Sequence, residues 1–200
     1  IILASQSPRR KQLLELMGLD FTCMTSNFEE YFDDTRSPED VVKELGLGKA
    51  RAVAKDHPDA IVIGSDLMVV LDGKQLGKPE SEAEATQMLQ NFSNRTHQII
   101  TSVAVVCESK GYEKVLTEMS YITFDELPEE TIREYVATGN PYDKGGGYAI
   151  QHPLIKPHVT FEGRLDTIIG LPTNLVAKHL ADFGYSLSEN VLLSNDSSIL

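Results

Sequence analysis

The chain has 200 residues, 41% hydrophobic and 24% charged, which is the balance of a globular protein large enough for a real core. Thirty acidic against eighteen basic residues give a net charge of -12, a surface that repels nucleic acid and anionic membranes. A small polyanion remains admissible where the few cations converge or a divalent metal offsets the charge.

The opening residues, IILA, read as a short buried strand. Ser5 and Ser7 then supply hydroxyls, and Ser7 stands at the N-cap of a helix opened by Pro8. Arg9 and Arg10 follow at once, Leu13, Leu14 and Met17 give that helix an apolar face, and Gly18 ends it. Residues 21–25 predict a second strand, followed by the acidic run 29–34. Ser37-Pro38-Glu39-Asp40 opens a second helix whose apolar face, Val41, Val42, Leu45, Ala52 and Val53, is interrupted by Gly46 and Gly48. Residues 60–64 form a buried strand that 67–71 continue into a hairpin turned at Asp72-Gly73. Ser81 caps a helix with Ala85, Met88, Leu89 and Phe92 facing inward.

Two longer strands, 98–107 and 115–124, are joined by a polar turn, and the alternation of Met119, Tyr121 and Thr123 marks a half-exposed face. Leu127-Pro128 opens a helix containing Ile132, Tyr135 and Val136 that ends at Gly139. A glycine-rich stretch, Asp143 to Tyr148, leads to a strand near 158–162 and a helix over 172–183. The polar tail from 186 to 200 is predicted to fray. With no repeat and no long linker, the pattern predicts one domain over 1–185. Its class is α/β, with a mixed, partly antiparallel sheet flanked by helices. Cys23 and Cys107 each lie in apolar runs without metal or disulfide spacing, and are expected to be reduced core residues of a cytoplasmic protein. The longest nearly apolar run, 99–107, is too short to cross a bilayer, and no secretory leader is expected.

Charged and polar groups recur where strands end or helices begin: Ser7 with Arg9 and Arg10, Glu29 with Glu30, then Lys49, Asp66, Lys78 and Gln151. A helix N-terminus beside hydroxyls and guanidinium groups suits an anionic oxygen, although two solvated arginines on a capped helix give the same pattern. Asp66 is the sharpest signal. It lies between IVIGS and LMVVL, where a carboxylate must be paired, metal-bound or satisfied by backbone N–H groups in a bend. Lys78 sits in the rigid Gly77-Lys78-Pro79 turn, and Lys49 on a helix; each also reads as a solvated cation. Carboxylates from two segments can hold a divalent ion while lysines and arginines hold phosphate oxygens. That set suits attack by water on a phosphoanhydride, with a carboxylate taking the proton. HExxH, GxSxG, Walker A and GxGxxG patterns are absent, and the five histidines lack zinc spacing.

The blocks LASQSPRR (3–10), FEE (28–30), GKARA (48–52), IGSDLMVV (63–70), LGKP (76–79), ATQML (85–89), DKGGGYAIQ (143–151) and GLP (170–172) resemble, in order and end to end, the Maf-like nucleoside triphosphate pyrophosphatases. The resemblance implies a mixed-sheet α/β fold with a deep cleft between two lobes, similar to that of inosine triphosphate pyrophosphatases, in a protein that often forms homodimers. It implies hydrolysis of a nucleoside triphosphate between the α and β phosphates with Mg²⁺ or Mn²⁺, as housecleaning of nucleotide pools. Position by position, it makes Asp66 the proton acceptor and Lys49 and Lys78 the two catalytic lysines. Ser7, Arg9 and Arg10 fall on the phosphate-binding loop, Glu30 with Asp66 on the metal, and Arg9 and Gln151 on substrate choice. Where pyrimidine-preferring members carry GADT, this chain has Gly64-Ser65-Asp66-Leu67, so an isobutyl group replaces a threonine hydroxyl. Gln151 inclines the expectation to a pyrimidine nucleotide, with a modified nucleotide as the other candidate. The alternative is a nucleotide-sensing regulatory protein, linked to arrest of cell division, that binds without significant turnover.

Overall fold

The computed structural model describes residues 1–31 and 33–187; Phe32 and most of the predicted tail, 188–200, lie outside the described residues. Seven strands form one mixed sheet: β1 (Ile2–Leu3), β2 (Thr22–Cys23), β3 (Val62–Leu71), β4 (Lys74–Leu76), β5 (Thr96–Cys107), β6 (Tyr112–Phe124) and β7 (Val159–Glu162). Their order is β2-β1-β3-β5-β6-β7, with β4 pairing to β3 off that path. β1 runs parallel to β2 and β3, and every other pairing is antiparallel. The helices are α1 (Pro8–Leu16), α2 (Pro38–Ala54), α3 (Glu82–Phe92), α4 (Glu129–Ala137), α5 (Leu165–Ile169) and α6 (Thr173–Ala181).

The sheet is interrupted at one place that matters. β3 pairs with β5 from Val62 to Val70 along one edge. On its other edge β1 meets only Val62 and Ile63, and β4 meets only Val69 to Leu71. Residues 64–68 therefore have no strand partner on that side among the described residues. The tight return from β3 to β4 follows from Asp72 and Gly73, whose φ values of 52° and 77° are those of a type I′ hairpin turn.

Side chains of β3 alternate between two cores. Its odd positions, among them Ile63 and Val69, join the large apolar cluster that also takes in Leu13, Leu14, Phe92, Tyr135 and Leu180. Its even positions face α2, and here the apolar packing divides in two. Val62 packs with Ala50, Val53 and Ala54, while Met68 and Val70 pack with Val41, Val42 and Leu45. Between these clusters lie Gly46, Gly64, Ser102, Lys49 and Asp66.

Three local expectations are corrected. α2 is a continuous 17-residue helix, not one interrupted at its glycines. A Cβ on Gly64 would lie 2.3 Å from the Gly46 carbonyl oxygen, and one on Gly46 would lie 2.3 Å from Ser102 Oγ. The cost of glycine in a helix is thus offset by close approach of α2 to the sheet. Cys23 is exposed on the outer strand β2 rather than in the core, whereas Cys107 is buried. The short helix α5, unmarked in the sequence, precedes α6. Among the described residues no helix is long and apolar enough to cross a membrane.

Candidate active site

Asp66 and Leu67, on the stretch of β3 that is paired along one edge only, line a cavity of about 450 Å³. Ser7, Arg9, Arg10, Glu30, Lys49, Lys78 and Gln151 line the same cavity. The residues selected from six separate segments of sequence are thus brought to one place. Of the two adjacent glutamates, Glu30 lines it and Glu29 does not.

Lys49, 7% exposed on α2, is the centre of the charge arrangement. Its Nζ donates to Glu30 Oε1 at 2.6 Å and to Asp66 Oδ1. Asp66 is therefore satisfied by a lysine and not by backbone N–H groups in a bend. Its second carboxylate oxygen accepts no hydrogen bond from the described residues. Burial raises the Asp66 pKa above its ordinary value; Lys49 and Arg10 counter that shift, and Glu30 adds to it. Burial also pushes Glu30 upward, but the hydrogen bond and charge of Lys49, with Lys78 and Arg10, outweigh it and hold this carboxyl below its usual range. Two neighbouring acids are thereby pushed in opposite directions, the pattern expected where one must accept a proton and the other must stay charged.

The cationic wall begins at α1. Ser7 caps the helix by accepting from the Arg10 backbone N–H at 3.4 Å, with Pro8 in the first turn. Ser5 Oγ accepts from the Ser7 N–H at 3.1 Å and from Arg10 Nη1 at 3.4 Å. The Arg10 side chain then runs beneath the cavity, where Nε donates to the Gly170 carbonyl at 2.9 Å. Burial lowers its pKa, against the pull of Asp66 and Glu30. Lys78, which lines the same cavity, is carried by the turn after β4. The glycine-rich loop closes over that turn: the Gly146 N–H donates to the Gly77 carbonyl at 2.9 Å, and Gly146 and Gly147 both have φ of 73°. Side chains there would crowd Val69 at 3.2 Å and Pro79 at 3.3 Å, so glycine is required for both conformation and space.

Several contributors were not singled out in the sequence. Asp143, Lys144 and Tyr148 line the cavity from the glycine-rich loop, whose composition was the available signal. Tyr148 is held by His97 Nε2 at 2.5 Å within a cage of Phe92 and Phe124 rings. Burial pushes the His97 pKa down to about 3, so the imidazole is neutral. Ser65, fully buried, donates its hydroxyl to the Gly170 carbonyl at 2.8 Å, a contact between residues 105 apart in sequence that no local pattern announces.

A sequence profile described as Maf-like protein matches residues 1–183. The chain belongs to the Maf family. A relative from Bacillus cereus (strain AH820), named dTTP/UTP pyrophosphatase, is 42% identical over 190 residues, covering 94% of this chain and 97% of its own length. One of the same name from Bacillus anthracis is 41% identical with the same coverage. Another, from Symbiobacterium thermophilum, is 40% identical over 188 residues, covering 94% and 95% of the two chains. The Maf-family resemblance noted in the sequence is thus shown over nearly the whole chain, and the mixed α/β fold agrees with it.

Proposed function

We propose that this Maf-family protein is a nucleoside triphosphate pyrophosphatase. It would hydrolyse the α–β phosphoanhydride of a pyrimidine nucleoside triphosphate to the monophosphate and pyrophosphate. The observation that carries this reading is the meeting of Asp66, Glu30 and Lys49 in one cavity that also presents Arg9, Arg10 and Lys78. The names of the relatives, dTTP/UTP pyrophosphatase, support both the reaction and the pyrimidine.

The chain's own groups divide the work. Arg9, Arg10 and Lys78, with Ser7 at the start of α1, bind the triphosphate oxygens by charge-assisted hydrogen bonds. Asp66, with its pKa raised by burial, is the proton acceptor. As water attacks the phosphorus, its proton passes to Asp66, the new P–O bond forms, and the α–β bridging bond breaks with pyrophosphate leaving. Lys49 holds the Asp66 carboxylate in place and contributes positive charge as negative charge grows on the phosphate oxygens. Gln151 and Leu67 line the cavity as a polar and an apolar neighbour for the nucleoside, with Gln151 offering an amide to a pyrimidine edge.

The donor set fits a hard divalent cation. Among the described residues no group of three or more His, Cys, Asp or Glu side chains is suited to hold a metal. Mg²⁺, however, is typically held by one or two carboxylates plus substrate phosphates, and Glu30 and Asp66 already converge on the single ammonium of Lys49. These two residues would hold Mg²⁺ or Mn²⁺, and the ion would supply charge to the phosphate oxygens.

The test is a panel of standard and modified nucleoside triphosphates with Mg²⁺ or Mn²⁺, followed by pyrophosphate detection. Release from dTTP and UTP is the expected result. Measurable binding with no pyrophosphate from any nucleotide would replace this reading with that of a nucleotide-sensing protein.

A further inference from the structure

One backbone oxygen joins three parts of the site. The Gly170 carbonyl accepts from Arg10 Nε at 2.9 Å and from Ser65 Oγ at 2.8 Å. A carbonyl oxygen has two lone pairs, and here one is used by the α1 arginine, the other by the residue next to Asp66 on β3.

That oxygen is held rigidly from behind. The N–H groups of Gly170 and Leu171 donate to the Asp166 carbonyl at 3.0 and 2.9 Å. The Asp166 carboxylate, fully buried, accepts from the Thr173 N–H at 2.9 Å and its hydroxyl at 2.6 Å. Thr101 on β5 donates to the Thr167 carbonyl at 2.8 Å and ties the preceding helix to the sheet. Gly170 has φ of 114°, a conformation that favours glycine, and a Cβ there would sit 3.4 Å from Arg10 Nε. With Nε occupied and Nη1 near Ser5, Arg10 Nη2 has no hydrogen-bond partner among the described residues, and the side chain lines the cavity.

We propose that the Gly170 carbonyl is the joint that aims the Arg10 guanidinium into the triphosphate site. Ser65 is a positioning residue that locks the joint to the strand bearing Asp66. Without the Ser65 hydroxyl the carbonyl keeps only its contact to Arg10, and the arginine loses its fixed bearing on β3. Ser65 then contributes to triphosphate affinity without touching the ligand, and only through Arg10. This rests on the reading of Arg10 as a phosphate ligand.

The experiment is a double-mutant cycle on the full chain, read as the calorimetric Kd for α,β-methylene-dTTP, which cannot be cleaved at the relevant bond. Ser65→Ala is expected to weaken binding about fivefold in the otherwise unaltered protein, but less than about twofold when Arg10→Ala is already present. Ser65→Thr, which restores a hydroxyl donor, is expected to return affinity to within about twofold. Thermal unfolding of each variant separates loss of stability from loss of aim. Wild-type affinity in Ser65→Ala, or an equal loss in both backgrounds, would overturn the joint. Wild-type affinity in Arg10→Ala would instead overturn the phosphate role of Arg10 on which the inference stands.

Discussion

Asp66 and Asp166 are both buried aspartates paired with a cation, yet their surroundings differ in kind. Asp166 has donors on both oxygens. Arg164 grips its two oxygens at 3.0 and 2.7 Å, and Thr173 adds its N–H at 2.9 Å and hydroxyl at 2.6 Å. Asp66 has a lysine on one oxygen and a cavity beside it. A carboxylate with fixed donors on both oxygens serves to hold structure, whereas one with an oxygen left open retains the capacity to accept a proton or a metal. Burial alone does not distinguish the two; coordination does.

The comparison breaks most visibly if the two residues are exchanged in effect. Asp66→Asn is expected to lower kcat by a factor of about 100 to 10,000 while far-UV dichroism and thermal unfolding stay close to wild type. Asp166→Asn should instead remove about 3 kcal/mol of stability in urea titrations. A stable Asp166→Asn protein would remove the contrast. A third buried group, His97, sharpens it by pH. Its folded pKa of about 3 lies below the ordinary 6.5, so its contribution is present above pH 6.5 and is lost as pH falls toward 3. Between pH 7 and 5 this amounts to about 2 kcal/mol, and His97→Phe should flatten that part of the stability profile.

Smaller effects test the cationic wall and the frame. Lys78→Ala is expected to weaken triphosphate binding about tenfold and monophosphate binding much less, measured by competition; equal losses would move Lys78 out of contact with the outer phosphates. Ser37 caps α2 at 3.1 Å from the Asp40 N–H, far along the helix from Lys49. Ser37→Ala should cost about 1 kcal/mol in denaturant titrations with kcat unchanged, which separates the stability of α2 from the chemistry it carries.

Much of this site was legible in the sequence because charge in an apolar setting is conspicuous. Asp66 within a hydrophobic strand breaks the local pattern and calls for a partner, and beside it Lys78 between glycine and proline and the arginines at the capped start of α1 gain weight. The Asp72-Gly73 hairpin was legible for the same local reason. What escaped notice depends on contacts across the fold. Gly46 and Gly48 look like helix breakers until Ser102 and Phe28 are placed against them. Cys23 looks like a core residue until β2 is found at the edge of the sheet. Ser65 is an ordinary strand residue until Gly170 is brought beside it.

The central claim is that an incompletely coordinated aspartate takes the proton when water cleaves the α–β link. The most direct measurement follows dTTP by ³¹P NMR in Mg²⁺ with the wild-type and Asp66→Asn proteins side by side. The account predicts dTMP and pyrophosphate from the first, and bound but intact dTTP with the second. Orthophosphate as the product, or equal turnover by both proteins, would contradict it.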